Sequence, residues 1–284
     1  KMLTRVYLFL FIALFSVSTT SVVIRYVDSV PPLTLAFWRM FFASMFLWIY
    51  NHKSSKPTMS VKNQKRIFFA GFFLGLHFAF FFIGVRNTSV ANATLLANTG
   101  PIFTALFSWY TNQRPPAWVY GGLFFSVLGI VIIQGVEFGN NNSLANFISL
   151  LSGFCIAITY LFASKIRKNT KNVIYGRWVF LVAAFTIAPI SFLFNQSLFE
   201  FEAQHIPWFF FLGLVPSIFG HNMLNYSIKY LTPTAIASVP LGEPVIASLL
   251  CMFLFSEHIP IGSLFGAPFV FTGIFLIIKN SKSD

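Results

Sequence analysis

One carboxylate in this chain sits where a carboxylate is hardest to keep. Glu243 lies in Val239-Pro240-Leu241-Gly242-Glu243-Pro244-Val245-Ile246, ahead of the apolar run 247–255. Burying a lone carboxylate in hydrocarbon is costly, so it must face a cavity or a partner. There it carries a proton or holds an ammonium group; its structural alternative is a tie to helix-end amides near Pro240 and Gly242. The prolines free backbone carbonyls and bend a helix. Pro240, Gly242 and Pro244 are therefore hinge candidates. So is Pro101, in the fainter copy Asn98-Thr99-Gly100-Pro101-Ile102-Phe103.

The other polar residues inside apolar stretches extend this set. Arg39 and Arg177 are predicted within spans, Arg39 about 9 Å deep at 1.5 Å per residue. A guanidinium fork suits a carboxylate or phosphate; the alternative is snorkelling to the membrane surface. His77 and His221 fall near the middles of two spans, where histidine binds solute, carries a proton or merely packs. His221, Asn222, Asn225 and Tyr226 recur at helical spacing and predict one polar face looking into a cavity. Trp38 and Trp178 adjoin the two arginines and border the same site, or else anchor span ends as interfacial tryptophans do. Some of the 39 phenylalanines could line an aromatic cavity for a cation; most are expected to face lipid.

These residues must be positioned by membrane helices. The 284-residue chain is 56% hydrophobic and 9% charged, against about 25% charged in soluble domains. The net charge of +12 lies in short loops, which excludes nucleic acid as a partner. Cys155 and Cys251 lie in apolar segments and read as core residues. With about 20 apolar residues per span, ten candidates emerge: 5–25, 33–51, 66–86, 90–110, 116–134, 144–164, 174–194, 206–229, 233–255 and 261–279. The first is read as a retained span, not a cleaved signal. With the N-terminus inside, fifteen Lys and Arg, Lys53 and Lys56 among them, fall on inner segments; only Arg25 and Arg86 fall on outer ones. Acids such as Glu137 fall outside. Lysine and arginine favour the cytoplasmic side, so both termini are expected there, in the cytoplasmic (inner) membrane of a bacterium.

The chain also repeats itself. Pro101 and Pro244 are 143 residues apart, as are Arg86 and Lys229. His77 and His221, Gly122 and Gly266, and Gly129 and Gly273 are each 144 apart. The fold class expected is all-α: ten transmembrane helices as two five-helix repeats, 1–137 and 138–284. Five is odd, so the second repeat is inverted, with solute held near the midplane.

Taken in order, these features resemble the drug/metabolite transporter superfamily in its ten-helix EamA-type branch. The resemblance rests on Glu243-Pro244-Val245 through Phe255-Ser256-Glu257, then Gly266 and Gly273. In the first half it rests on Gly100-Pro101 through Asn112-Gln113-Arg114, then Gly122 and Gly129. Phe37-Trp38-Arg39 resembles the family's early arginine, and Gln113 replaces the acid usual at that turn. The resemblance implies a carrier of small metabolites, often an exporter of amino acids or related compounds.

The function expected is secondary transport of a small polar or charged metabolite, amino acid-like or an organic anion, by alternating access. A cationic amine or multidrug exporter and a lipid-linked substrate translocator are the alternatives. An enzyme is not expected, since the motifs H-E-x-x-H and G-x-S-x-G are absent. The P-loop motif is absent as well, so a proton or counter-solute is expected to drive transport. The expected partners are the metabolite and the bilayer, in a monomer or homodimer, with no cofactor and no metal.

Overall fold

The computed structural model describes residues 2–51, 59–88, 90–111, 114–134, 142–255, 261–279 and 281. Gln113, Glu137, Glu257, Lys53 and Lys56 lie outside them. Seven helical stretches are long and apolar enough to cross a membrane. They are α1 (Met2–Tyr26), α2 (Pro32–Tyr50), α3 (Val61–Asn87), α7 (Ser143–Arg167), α8 (Asn172–Leu193), the interrupted helix 233–254 and α13 (Ile261–Lys279). The fourth span is α4 (Val90–Ala97) followed by α5 (Gly100–Tyr110), and the fifth is α6 (Ala117–Gln134). The eighth runs through α9 (Ile206–Leu212), a π-helical stretch Gly213–His221 and α10 (Asn222–Ser227). The ninth is α11 (Pro233–Ser238), a 3-10 turn Val239–Gly242 and α12 (Glu243–Phe255). The chain is thus an all-α polytopic membrane protein of ten spans.

Helix starts follow local chemistry. The Asn142 side chain accepts from the amides of Leu144 (3.1 Å) and Ala145 (3.3 Å), satisfying donors that the first turn of α7 leaves open. Thr232 does the same for Ala235 at the head of α11, and Pro233 and Pro32 occupy first positions where a missing N–H costs nothing. The Ser60 cap starts α3 five residues before the expected 66. Its polar first turn is satisfied: Asn63 Nδ2 donates to Thr170 Oγ1 at 3.0 Å.

The spans pair as two opposed halves would. The third packs on the sixth as the eighth packs on the first, the second on the seventh, and the fifth on the tenth. Small residues let backbones approach where no hydrophobic force separates helix from lipid. On α3, a Cβ at Gly71 would lie 2.5 Å from Val182 Cβ, and one at Gly75 2.6 Å from Thr186 Cβ.

At one end, Arg86 on α3 donates to the carbonyls of Val27, Asp28 and Val30, clamping the turn between α1 and α2. Hydrogen bonds from a charged group contribute about 1.5–3 kcal/mol each. Arg86→Met is expected to lower the melting temperature in detergent, and Arg86→Lys to recover only part of the loss. Equal stability of all three proteins would show that the clamp contributes nothing.

Candidate functional site

The interruptions of three spans meet at one buried cavity. Thr20, Arg39, His77, Tyr160, Asn98, His221 and Glu243 supply its polar lining, and Val17, Phe78, Phe81 and Ile156 much of its apolar wall. The cavity volume is about 30 Å³. That suits roughly two or three waters and is too tight for a metabolite.

Arg39 is 1% exposed, so its charge must be met inside the protein. Its Nε donates to Ser217 Oγ at 3.0 Å, Nη1 to Thr20 Oγ1 at 3.3 Å and Nη2 to the Pro216 carbonyl at 3.5 Å. Its guanidinium carbon sits 4.3 Å above the Phe78 ring, a cation–π contact strengthened by desolvation. The eighth span makes this possible. Pro216 has no N–H to give, and the Ser217 hydroxyl donates five residues back to Leu212 O at 2.9 Å. That π-register is common at functional sites and turns a carbonyl and a hydroxyl toward Arg39. The sequence predicts an unbroken helix over 206–229; Pro216 and Ser217 were the available signal for the interruption. Of the five guanidinium N–H groups, those at the fork make two long contacts among the described residues, leaving capacity for an anion.

Glu243 opens α12 directly after the 3-10 turn. Asn98 Nδ2 donates to its Oε2 at 3.4 Å and to the Pro240 carbonyl at 3.1 Å. The break in the fourth span therefore holds the break in the ninth. Pro101, Pro240, Gly242 and Pro244 all lie at these two breaks. Glu243 Oε1 is buried with no hydrogen-bond partner among the described residues, an expensive condition unless a ligand or water meets it. Arg39 and Glu243 line one cavity, and neither is the other's hydrogen-bond partner.

The two histidines meet across the repeat, ring centroids 6.3 Å apart. The Ser152 carbonyl lies 3.0 Å from His77 Nδ1, and the Ser152 hydroxyl lies 2.8 Å from it and donates to the His77 carbonyl at 2.9 Å. With Nδ1 donating there, Nε2 is left as an acceptor, an assignment from the network. His221 stands edge-on to Phe78 at 5.0 Å.

Other expected residues lie elsewhere. The predicted polar face of the eighth span divides at the end of the π-stretch. His221 lines the cavity; the carbonyl and side-chain oxygens of Asn222 accept from Asn172 Nδ2 at 2.8 and 3.1 Å. The Asn225 carbonyl accepts from Arg167 Nε at 2.9 Å. Tyr226 packs edge-on to Phe9 at 5.1 Å, near Arg5. Trp38 is turned from the cavity: its Nε1 donates to Leu198 O at 2.8 Å, and its ring stacks between Phe42 and Phe209. Arg177 lies 4.0 Å over Trp48, which packs on Trp178 at 5.3 Å. Thr20, Asn98, Ser152, Tyr160 and Ser217 are polar residues of the site that sequence reasoning missed. Asn98 and Tyr160 had a signal in their mid-span position; Thr20 and Ser152 had none beyond being small and polar.

Comparison with known proteins agrees with this architecture. The family model described as EamA-like transporter family matches residues 4–135 and again 143–279. An uncharacterized transporter of Archaeoglobus fulgidus is 21% identical over 254 residues, 86% of this chain and 87% of that protein. The uncharacterized transporter YdfC of Bacillus subtilis is 23% identical, covering 89% of this chain and 84% of its own. The pseudopaline exporter CntI of Pseudomonas aeruginosa is 23% identical over 216 residues, 74% of this chain and 72% of that protein. A solved structure described only as the crystal structure of a protein superposes with a TM-score of 0.76 at 16% identity. It covers 96% of this chain and 97% of its own.

Proposed function

Because the chain belongs to the EamA-like transporter family, and is therefore a transporter, not an enzyme, we propose that it carries a small zwitterionic or anionic metabolite by alternating access. The observation that supports this reading is the pair Arg39 and Glu243, opposite charges lining one buried cavity without being bonded to each other. A solute carboxylate fits the Arg39 fork. A solute ammonium fits the unpartnered Glu243 oxygen. A zwitterion would satisfy both at once and add no net charge to a desolvated site. The starts of α5 and α12 both abut the cavity, and the positive ends of these half-helices favour an anionic group. A wholly cationic solute is disfavoured by Arg39.

The cavity is too small for a metabolite in this conformation, so solute enters only when the two halves part. The broken fourth and ninth spans, joined through Asn98, supply the flexure at Pro101, Pro240, Gly242 and Pro244. The lysine and arginine bias favours both termini on the cytoplasmic side. The exporter among the relatives favours outward transport of a metabolite made in the cell.

Thermal stabilisation by a panel of amino acids, organic acids and amines tests the solute class, since a ligand of the folded form raises the melting temperature by mass action. Amino acids or organic acids are expected to stabilise. Stabilisation by amines alone would overturn the reading. Glu243 is assigned the coupling proton. Glu243→Gln in proteoliposomes is expected to keep solute exchange at lower affinity, the amide oxygen still accepting from the solute ammonium, and to lose the response to an imposed pH gradient. An unchanged response would remove Glu243 from coupling.

A further inference from the structure

A line of buried polar side chains leaves the cavity toward the C-terminal end of α7. It begins at Tyr160, which lines the cavity and is 2% exposed. Its hydroxyl is buried and has no hydrogen-bond partner among the described residues. Next is Tyr175, near the start of α8, 0% exposed, its hydroxyl likewise buried and unpartnered. Tyr175 lies within electrostatic range of both Tyr160 and Arg167. Arg167 is 4% exposed and stands seven residues after Tyr160, on the same face of α7 and about 10 Å along it. Both rings pack in the core, but a buried hydroxyl without a partner is costly, and here two such hydroxyls lie between a cavity and a buried guanidinium. They are satisfied if the space between α7, α8 and α10 fills with water or solute in another conformation.

The present conformation is the closed one. Arg167 Nε donates to the Asn225 carbonyl at 2.9 Å, and Nη1 to the Thr170 carbonyl. Asn172 Nδ2 donates to the Asn222 carbonyl at 2.8 Å. These bonds hold α10 against α7 and α8 across the outlet. Both Arg167 acceptors are main-chain carbonyls, so its charge has no carboxylate in these contacts.

We propose that Tyr160, Tyr175 and Arg167 line the solute's route between the central cavity and the α7 C-terminal face, and that Arg167 attracts the solute's anionic group when that route opens. This rests on the central cavity being the solute site. Two roles then fall to two arginines: Arg39 binds at the centre, and Arg167 gathers anions at the mouth and latches it shut.

The test uses thiol reagents of opposite charge and needs no knowledge of the solute. In a background with Cys155 and Cys251 replaced by alanine, Tyr175→Cys is reconstituted in vesicles of known orientation. It is exposed to anionic 2-sulfonatoethyl or cationic 2-(trimethylammonium)ethyl methanethiosulfonate. Labelling is expected from the α7 C-terminal face and not from the other. The anionic-to-cationic rate ratio is expected to fall about fivefold when Arg167→Gln is added, because a positive charge at the mouth raises local anion concentration. The ratio is unaffected by the reactivity of the thiol itself. Ala163→Cys, on the same face of α7 and a smaller change, serves where Tyr175→Cys fails to fold. No labelling of either cysteine, labelling only from the opposite face, or a ratio indifferent to Arg167→Gln would each overturn the proposal. The reading of the central cavity fails separately: if labelling behaves as expected but Arg39→Ala leaves solute binding intact, the route stands and the assigned solute chemistry falls.

Discussion

Arg39→Ala is expected to weaken solute binding about 100-fold, close to 2.7 kcal/mol, while the protein remains folded. The magnitude comes from the fork. Its two terminal nitrogens make contacts of 3.3 and 3.5 Å to Thr20 and Pro216, which a carboxylate would replace with two charge-assisted bonds. Folding survives because removing a whole buried charge also removes its desolvation cost. The neighbours it leaves behind are a hydroxyl, a carbonyl and an aromatic face, not an opposite charge bonded to it. Arg39→Lys is expected to recover only part of the affinity. It keeps the charge but not the planar fork, nor the same contact with Phe78. Calorimetric titration of the best stabilising solute from the panel, on both variants and the parent, measures this. Equal affinity in all three would make Arg39 a structural tie of the second span to the eighth.

Gly266→Leu is expected to abolish folding altogether. α6 and α13 cross backbone to backbone. A Cβ on Gly129 would lie 2.6 Å from the Gly266 carbonyl oxygen and 2.7 Å from the Val270 amide, and a Cβ on Gly266 would strike the Gly129 carbonyl. One turn-pair further, a Cβ on Gly122 would lie 2.7 Å from the Gly273 carbonyl. The obstacles are main-chain atoms, which cannot rotate aside as a flexible side chain would. Two helices would have to separate, losing the close packing that drives association in lipid. Gly121 is the internal control: a Cβ there meets nothing within 4 Å. Gly121→Leu is expected to give a monodisperse protein with the parent's melting temperature, and Gly122→Leu or Gly266→Leu an aggregated one. Size-exclusion chromatography in mild detergent reads both, and a monodisperse Gly266→Leu protein of parental stability would contradict the crossing.

Both predictions concern residues that stand out as a pattern in the sequence. The two pairs matched across the 144-residue repeat, Gly122 with Gly266 and Gly129 with Gly273, turn out to be exchanged in space: Gly122 faces Gly273 and Gly129 faces Gly266. An antiparallel crossing of two copies of one helix has this arrangement. Arg39, His77, His221 and Glu243 stand out because a charge or imidazole in an apolar run is rare and costly wherever it points. All four line the same cavity.

Other positions were not legible, for a different reason. His221, Asn222, Asn225 and Tyr226 share a face only if the helix keeps 3.6 residues per turn, and the π-stretch Gly213–His221 alters that phase. Trp38 is one residue from Arg39, hence about 100° around α2, and faces the loop carrying Leu198. Thr20 and Ser152 are small polar residues of a kind that in some places bond back to their own helix, as Ser18 and Ser248 do, and in others bridge spans, as Ser44 does to the Arg177 carbonyl.

The sequence alone determined that this chain spans a membrane, about how many times and in two matched halves. Those properties depend on segment length, apolar content and the spacing of Gly and Pro, all local quantities. Which of its polar side chains share a cavity was decided only by the tertiary structure. Convergence depends on how each helix is rotated and where it breaks, and these are set by contacts between spans far apart in the chain: glycine against backbone, Asn98 against Pro240, Arg39 against Ser217.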